Sequence, residues 1–290
     1  MSRTSGNFRF TEAEELEIVR LYQEGMSARA IGRLHNMDDQ RTIVSVLKRQ
    51  GIEQRPASER CMRYALDPTM FDVLTPEATY WYGFIYADGY LHRQESLVVG
   101  LARRDHGHLE KLRDFLKSGH PIRDYTVSSG KKRCEASDFR PSNQHLLKRL
   151  IELGLGTPRQ FDKVLTNVPE EYIHHWIRGY FDGNGHTRNS TKLQEVGFCG
   201  TLNVIEWIRL QLASHAYRRP DQKLTLRKGT NIYYVVYGGR FQVIDIYDYL
   251  YRDATVWLDR KREIIDILMK PPKNTKCINK SILAKRAARI

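Results

Sequence analysis

An α+β fold, with two similar halves behind a small all-helical N-terminal domain, is what this sequence predicts, and three observations predict it. A long internal repeat runs at a constant offset of 96 residues. Each copy reads helix, strands, helix, strands, helix, as apolar periodicity switches between helical and extended kinds. Ahead of the repeat, residues 11–50 carry three short helical patterns with their own caps. The boundaries that follow are a helical domain over 1–52, a polar linker over 53–70, halves over 71–166 and 167–268, and a basic tail over 269–290.

Composition narrows the partners. The chain has 290 residues, 41% of them hydrophobic, enough for a packed core and too many for a disordered chain. A formal charge of +13 points to a polyanion, most simply nucleic acid. Lys270–Ile290 holds seven Lys/Arg and no acid, which leaves +6 on the body, so the tail alone does not explain the basicity. The four cysteines, Cys61, Cys134, Cys199 and Cys277, show neither Cys-x-x-Cys pairing nor zinc spacing and read as reduced thiols. No apolar run reaches membrane-spanning length, and MSRTSGNFRF lacks the apolar centre of a signal peptide. The expectation is a cytoplasmic protein with no membrane partner.

In the first helical pattern Thr11 caps and Glu14 completes a capping box, with Leu16, Ile18, Val19 and Leu21 as the apolar set and Gly25 as the stop. Ser27 caps the second, SARAIGRLH, with Ala30, Ile31 and Leu34 turned inward. The third spans about Asp39–Gln50, with Ile43, Val44 and Leu47 apolar, Arg41, Lys48 and Arg49 exposed, and Gly51 as the stop. This arrangement resembles the helix-turn-helix of resolvase-like DNA-binding domains. The resemblance implies a third helix in the major groove, with Arg41, Lys48 and Arg49 as DNA contacts.

The repeat aligns YGFIYADGYL (82–91) with RGYFDGNGHT (178–187). Gly83 falls on Gly179, Ala87 on Gly183, Asp88 on Asn184 and Gly89 on Gly185. Downstream, Leu109 and Leu112 fall on Ile205 and Ile208, and Leu147 and Leu150 on Val243 and Ile246. Such duplication implies two subdomains about an internal pseudo-twofold axis. Thr75-Pro76-Glu77 and Pro169-Glu170-Glu171 read as the two helix starts, and Gly89 and Gly185 as left-handed caps. Gly83/Ala87 and Gly179/Gly183 place small residues four apart, which lets two helix backbones approach closely. Asp88 and Asn184 then meet at the C-terminal ends of the pair. A carboxylate there opposes the helix dipole and calls for a cation. The aromatics Tyr80, Trp81, Tyr82, Phe84 and Tyr86 read as core and interface filling, and His106, His108, His174 and His175 as surface or packing residues.

Trp81–Gly89 and Ile177–Gly185 resemble the two motifs of the LAGLIDADG homing endonuclease family, and the resemblance covers roughly residues 70–265. It implies two αββαββα halves whose sheets form a saddle on double-stranded DNA, in a monomer. It also implies cleavage of one strand by the last acid of each motif with Mg²⁺ or another divalent cation. On that reading Asp88 and Asn184 are catalytic and, with Ala87 and Gly183, line the metal site. The basic residue near the end of each half, which the family uses on the transition-state phosphate, corresponds to Lys261, with Arg260 beside it. In the first half LGLGTPRQF offers Arg159 and, at the position itself, Gln160.

The second motif departs from the family pattern, reading DGNG, with a neutral amide for the last acid; Asp182 belongs to the earlier acidic position and points elsewhere. Natural loss of activity, a nicking enzyme with one competent half and an engineered substitution all fit that asparagine. Two other functions use the same scaffold: a maturase that binds intron RNA, and a DNA-binding transcriptional regulator that does not cleave. Hairpins are expected over 122–139 and 224–239, turning at Ser128–Lys132 and Lys228–Thr230. Alternation puts Arg123, Tyr125 and Val127 on one face, and Leu224, Leu226 and Lys228 on another. Arg123, Tyr125, Arg133 and Lys228 are the candidate DNA readers.

Overall fold

The computed structural model describes residues 10–24, 26–37, 39–54, 64–129, 132–156, 168–189, 194–216 and 221–270. The chain divides between Arg63 and Tyr64 into two compact units.

The N-terminal unit holds α1 (Glu12–Gln23), α2 (Ala28–Leu34) and α3 (Arg41–Arg49). Thr11 and Glu14 form the reciprocal capping box, and Ser27 Oγ accepts from Ala30 N at 3.1 Å. Ile18, Tyr22, Ile31, Met37, Ile43, Val46 and Leu47 make the core. Leu16 and Leu34, expected inside, are 59% and 62% exposed. On α1 the buried stripe is Glu15, Ile18 and Tyr22, and Leu16 lies a full residue's rotation off it. Glu15 is buried because Arg49 and Gln50 donate to its carboxylate, Gln50 Nε2 at 2.6 Å. Arg49 thus reaches across the bundle to α1 while its side chain stays 39% exposed, as expected. Arg41, Ser45 and Lys48 form an exposed stripe along α3.

The second unit is two αββαββα halves, so the fold class is α+β, as the sequence predicts. In the first half α4 (Pro76–Asp88) runs directly into β1 (Gly89–His92), followed by β2 (Ser96–Ala102), α5 (His106–Phe115), β3 (Ile122–Ser129), β4 (Lys132–Phe139) and α6 (Gln144–Glu152). In the second, α7 (Ile173–Asn184) leads into β5 (Gly185–Asn189), β6 (Gln194–Gly200), α8 (Leu202–His215), β7 (Leu224–Leu226), β8 (Tyr233–Gly238) and α9 (Arg240–Tyr251). A closing helix, α10 (Asp259–Met269), follows. The two four-stranded sheets are antiparallel with matching orders, β1-β2-β4-β3 and β5-β6-β8-β7. Leu91, Leu97, Val99 and Phe139 of one sheet and Val196, Phe198, Val235 and Tyr237 of the other face a single core that runs through both halves.

Two local expectations change. Thr75 caps α4 with Pro76 in its first turn, but Pro169 is extended, Glu170–Tyr172 form a 3₁₀ turn, and α7 starts only at Ile173. Gly89 and Gly185 are also extended, with φ of −96° and −92°, not left-handed. What demands glycine is space. A Cβ would lie 2.7 Å from the Ile85 carbonyl oxygen at Gly89, and 2.5 Å from that of Phe181 at Gly185. The chain turns from helix straight into strand against the carbonyl one turn back, and only hydrogen fits. Among the described residues no helix is long and apolar enough to cross a membrane, and Cys134 and Cys199 are free thiols.

Candidate functional site

Glycines bring α4 and α7 into backbone contact. A Cβ on Gly83 would lie 2.1 Å from the Trp176 carbonyl oxygen, and one on Gly179 2.0 Å from that of Tyr80. One turn later a Cβ on Gly183 would meet Ala87 Cβ at 2.5 Å and Asp88 Oδ2 at 3.2 Å. The helices therefore end together, and both sheets begin at that point. Each terminal residue reaches the other helix: the Asp88 carboxylate lies against Gly183, and Asn184 Nδ2 donates to the Ala87 carbonyl at 3.2 Å.

Charge around this point is uneven. Burial pushes the Asp88 carboxyl up to about 6; Lys261 pulls it down, Asp105 pushes it up, and Arg260 pulls it down. Arg260 holds Asp105 through two bonds of 3.1 and 3.0 Å, tying α10 of the second half to the first. Lys261 is buried, which pushes its ammonium down to about 8 against the pull of Asp182. Its Nζ donates to the carbonyls of Asp182 at 2.9 Å, Gly185 at 2.7 Å and Phe181. It is the cation that closes the C-terminal end of α7. Asp182 is buried away from Asp88 and accepts from Tyr80 Oη at 2.7 Å, Leu258 N at 2.9 Å and Tyr251 Oη at 3.2 Å.

The donor set tests what cation fits. Among the described residues no three His, Cys, Asp or Glu side chains gather into a metal site. The helix ends offer one carboxylate, one amide oxygen and backbone carbonyls, all hard ligands. Such a set suits a cation of the Mg²⁺ kind, which keeps much of its water and shares ligands with a phosphate. The Cys199 thiol, which donates to the Asn184 carbonyl at 3.1 Å, adds one sulfur beside them, short of the nitrogen- and sulfur-rich set that a resident zinc needs.

The strand residues sort by register. Arg123, Tyr125 and Val127 pair with Asp138, Ala136 and Cys134 and stand with Tyr90 on the face of the first sheet turned away from its helices. Arg133 pairs with Ser128 and lies on the opposite face from Arg123 and Tyr125. Lys228 lies in the turn after β7, which Arg227 N closes by donating to the Ile232 carbonyl at 2.8 Å. Leu224 and Leu226 pair with Val235 and Tyr233 on the helix-side face, where Leu224 packs on the core and Leu226 is 50% exposed. The outward face of the second sheet carries a group that sequence reasoning missed. The His186 ring covers Gly197, where a Cβ would lie 2.2 Å from it, and Glu195 pairs with His186 at 3.6 Å and Arg188 at 3.4 Å. Counting alternate residues from His186, the second residue of β5, would have put His186 and Arg188 on one face. His108 is buried, its Nε2 3.0 Å from Tyr80 Oη, while His106 binds Asp124 at 2.9 Å. Arg159, Gln160 and residues 271–290 lie outside the described residues.

No family model matches the sequence, and no curated protein does. Solved structures do show similarity. I-SmaMI bound to an uncleaved DNA target with calcium ions matches at TM-score 0.40 and 12% identity, over 68% of this chain and 91% of that one. The LAGLIDADG meganuclease I-CpaMI bound to uncleaved DNA matches at 0.41 and 13%, over 68% and 92%. Full-length DUF199/WhiA from Thermatoga maritima matches at 0.43 and 16%, over 77% and 71%. With scores and identities this low, the fold assignment rests on the strand order and helix pairing given above.

Proposed function

We propose that this protein binds a specific site on double-stranded DNA and hydrolyses phosphodiester bonds there with a divalent cation, as a nicking enzyme or a slow double-strand endonuclease. One observation carries the reading: two glycine-faced helices converge so that Asp88 and Asn184 end side by side where two matching sheets begin. Two sheets of equal topology offer two similar outward surfaces, which suits a duplex whose strands are themselves related by twofold axes. Arg123, Tyr125 and Tyr90 on one sheet, and His186 and Arg188 on the other, would read base edges and phosphates; their shared outward faces support that reading. Arg41, Ser45 and Lys48 give the N-terminal unit an exposed helical stripe suited to a groove.

Asp88 and the Asn184 amide oxygen would hold the cation, with the backbone at Ala87 and Gly183 beside them. When bound, such an ion stabilises the attacking water and the leaving oxygen of a phosphodiester. Asp88 supplies a full negative charge to it and Asn184 supplies none, so the half served by Asn184 is the weaker. Lys261 offers no free proton to a phosphate while its ammonium is shared among three carbonyls. That commitment and Asn184 favour a second reading, a DNA-binding regulator that does not cleave. Selection from a random duplex library, with a structured intron RNA as competitor, tests the common part: a long duplex consensus supports both readings, and preference for the RNA removes both.

A further inference from the structure

Arg178 and Asp182 are fully buried ionisable residues one turn apart on α7, and neither faces the outward sheet surfaces. Both grip the same stretch of chain. Arg178 donates from Nη1 to the Leu250 carbonyl at 2.9 Å and from Nε to the Val256 carbonyl at 3.2 Å. Asp182 accepts from Leu258 N and from Tyr251 Oη. The connection between α9 and α10 is thus held at both ends and along its length. Three residues after Leu258, Lys261 lies under the end of α7.

Among the described residues, the first half makes a plainer version of the same tie. Tyr82, which aligns with Arg178 at the offset of 96, donates to the Leu153 carbonyl just after α6. A tyrosine can tie one carbonyl, whereas the guanidinium ties two and Asp182 adds a backbone amide. The asymmetry falls on the half that has Lys261 in place.

We propose that Arg178 and Asp182 are positioning residues: they clamp the α9–α10 connection so that Lys261 closes the C-terminal end of α7 and fixes where Asn184 stands against Asp88. The seating of Lys261 stands on its own, while its consequence for strand cleavage rests on the endonuclease reading.

Reductive methylation of the full-length protein, read by peptide mass spectrometry, tests the clamp without any nuclease assay. Exposed Lys228 serves as internal reference. In the parent, Lys261 should label at least tenfold more slowly than Lys228. Asp182→Asn and Arg178→Met should each raise Lys261 labelling at least threefold, with Lys228 unchanged and the melt still above the labelling temperature. Tyr251→Phe, which keeps the ring and deletes one donor, carries the test if those two do not fold, with a smaller rise of about twofold expected. Lys261 labelling unchanged in a folded variant overturns the proposal. In an Asn184→Asp background, the clamp variants should also cut target DNA at least tenfold more slowly while binding it equally well in calcium. No cutting by any variant, with labelling still responsive, refutes the endonuclease reading and leaves the clamp standing.

Discussion

Gly179→Ala adds one methyl group, and the structure says where it lands. The new Cβ would lie 2.0 Å from the Tyr80 carbonyl oxygen and 2.8 Å from Phe84 N. Both are backbone atoms of α4, so no rotamer change relieves the contact. Carbon and oxygen settle no closer than about 3.3 Å, so the helices must part by roughly an ångström. That shift opens the centre of the core shared by both halves. Overpacking alone costs about 1–3 kcal/mol, and the lost packing along two helices brings the total to about 3–5 kcal/mol. At 2–4 °C per kcal/mol for a unit of this size, the melting temperature should fall by roughly 6–20 °C. Gly83→Ala should match it, since its Cβ would lie 2.1 Å from the Trp176 carbonyl oxygen. Gly238→Ala is the control, with nothing within 4 Å of the added atom. Thermal and urea unfolding of the three variants decide the matter. A Gly179→Ala protein that melts within a degree or two of the Gly238→Ala control would refute backbone contact between α4 and α7.

Acid should destabilise the fold. His108, His174 and His175 are buried, and desolvation first of all holds them down to about 3, 4 and 3. Their folded values lie below the ordinary 6.5, so the unfolded chain takes up more protons and stability falls as pH drops below 6.5, by about 2 kcal/mol per histidine at pH 5. Asp88, held up at about 6, takes up its proton at a higher pH in the folded chain than in the unfolded one and offsets about 1 kcal/mol of that loss at pH 5, and burial shifts Asp182 in the same direction. Urea midpoints at pH 7 and pH 5 that coincide would contradict the sum. DNA affinity should fall steeply with salt, by about 0.9 log units per log unit of salt for each phosphate contact, and removing residues 271–290 should lower that slope without changing the preferred sequence; affinity independent of salt contradicts the nucleic-acid reading. Removing residues 1–60 should shorten the nuclease-protection footprint at one end only, and a footprint of unchanged length would show that α3 does not extend the site.

The architecture was legible because its signals are local and repeated. Thr11, Ser27 and Thr75 cap helices through bonds to residues three positions on, a span that sequence displays directly. Gly83 and Gly179 stand out because close helix contact requires a hydrogen side chain at a fixed spacing. Contacts that join distant segments were not legible. Nothing near Lys261 in sequence announces that it serves carbonyls 76 to 80 residues earlier. Glu15 and Arg49 each fit an exposed helical face, and only the packing of α1 on α3 makes them partners. Gly89 and Gly185 look alike as caps or as clearance, since glycine satisfies either demand; the extended φ decides for clearance. In the hairpins, alternation groups Arg123 with Tyr125, but which face meets the helices depends on Phe139 and Val99 packing inward.

Asp88 and Asn184 bear the central claim, and cleavage of a supercoiled plasmid carrying the selected target tests it most directly. Under single-turnover conditions with Mg²⁺, the sequence as it stands should yield nicked circles, or linear product only slowly. Asn184→Asp places a second carboxylate at the paired helix ends and should raise the rate of linear product by orders of magnitude, with binding in the absence of metal unchanged. Adding Asp88→Asn to the unaltered sequence should abolish residual nicking, again without loss of binding. Equal cleavage by the Asn184→Asp protein and its parent, on a target both bind, would contradict the claim that these two residues form one metal-assisted site.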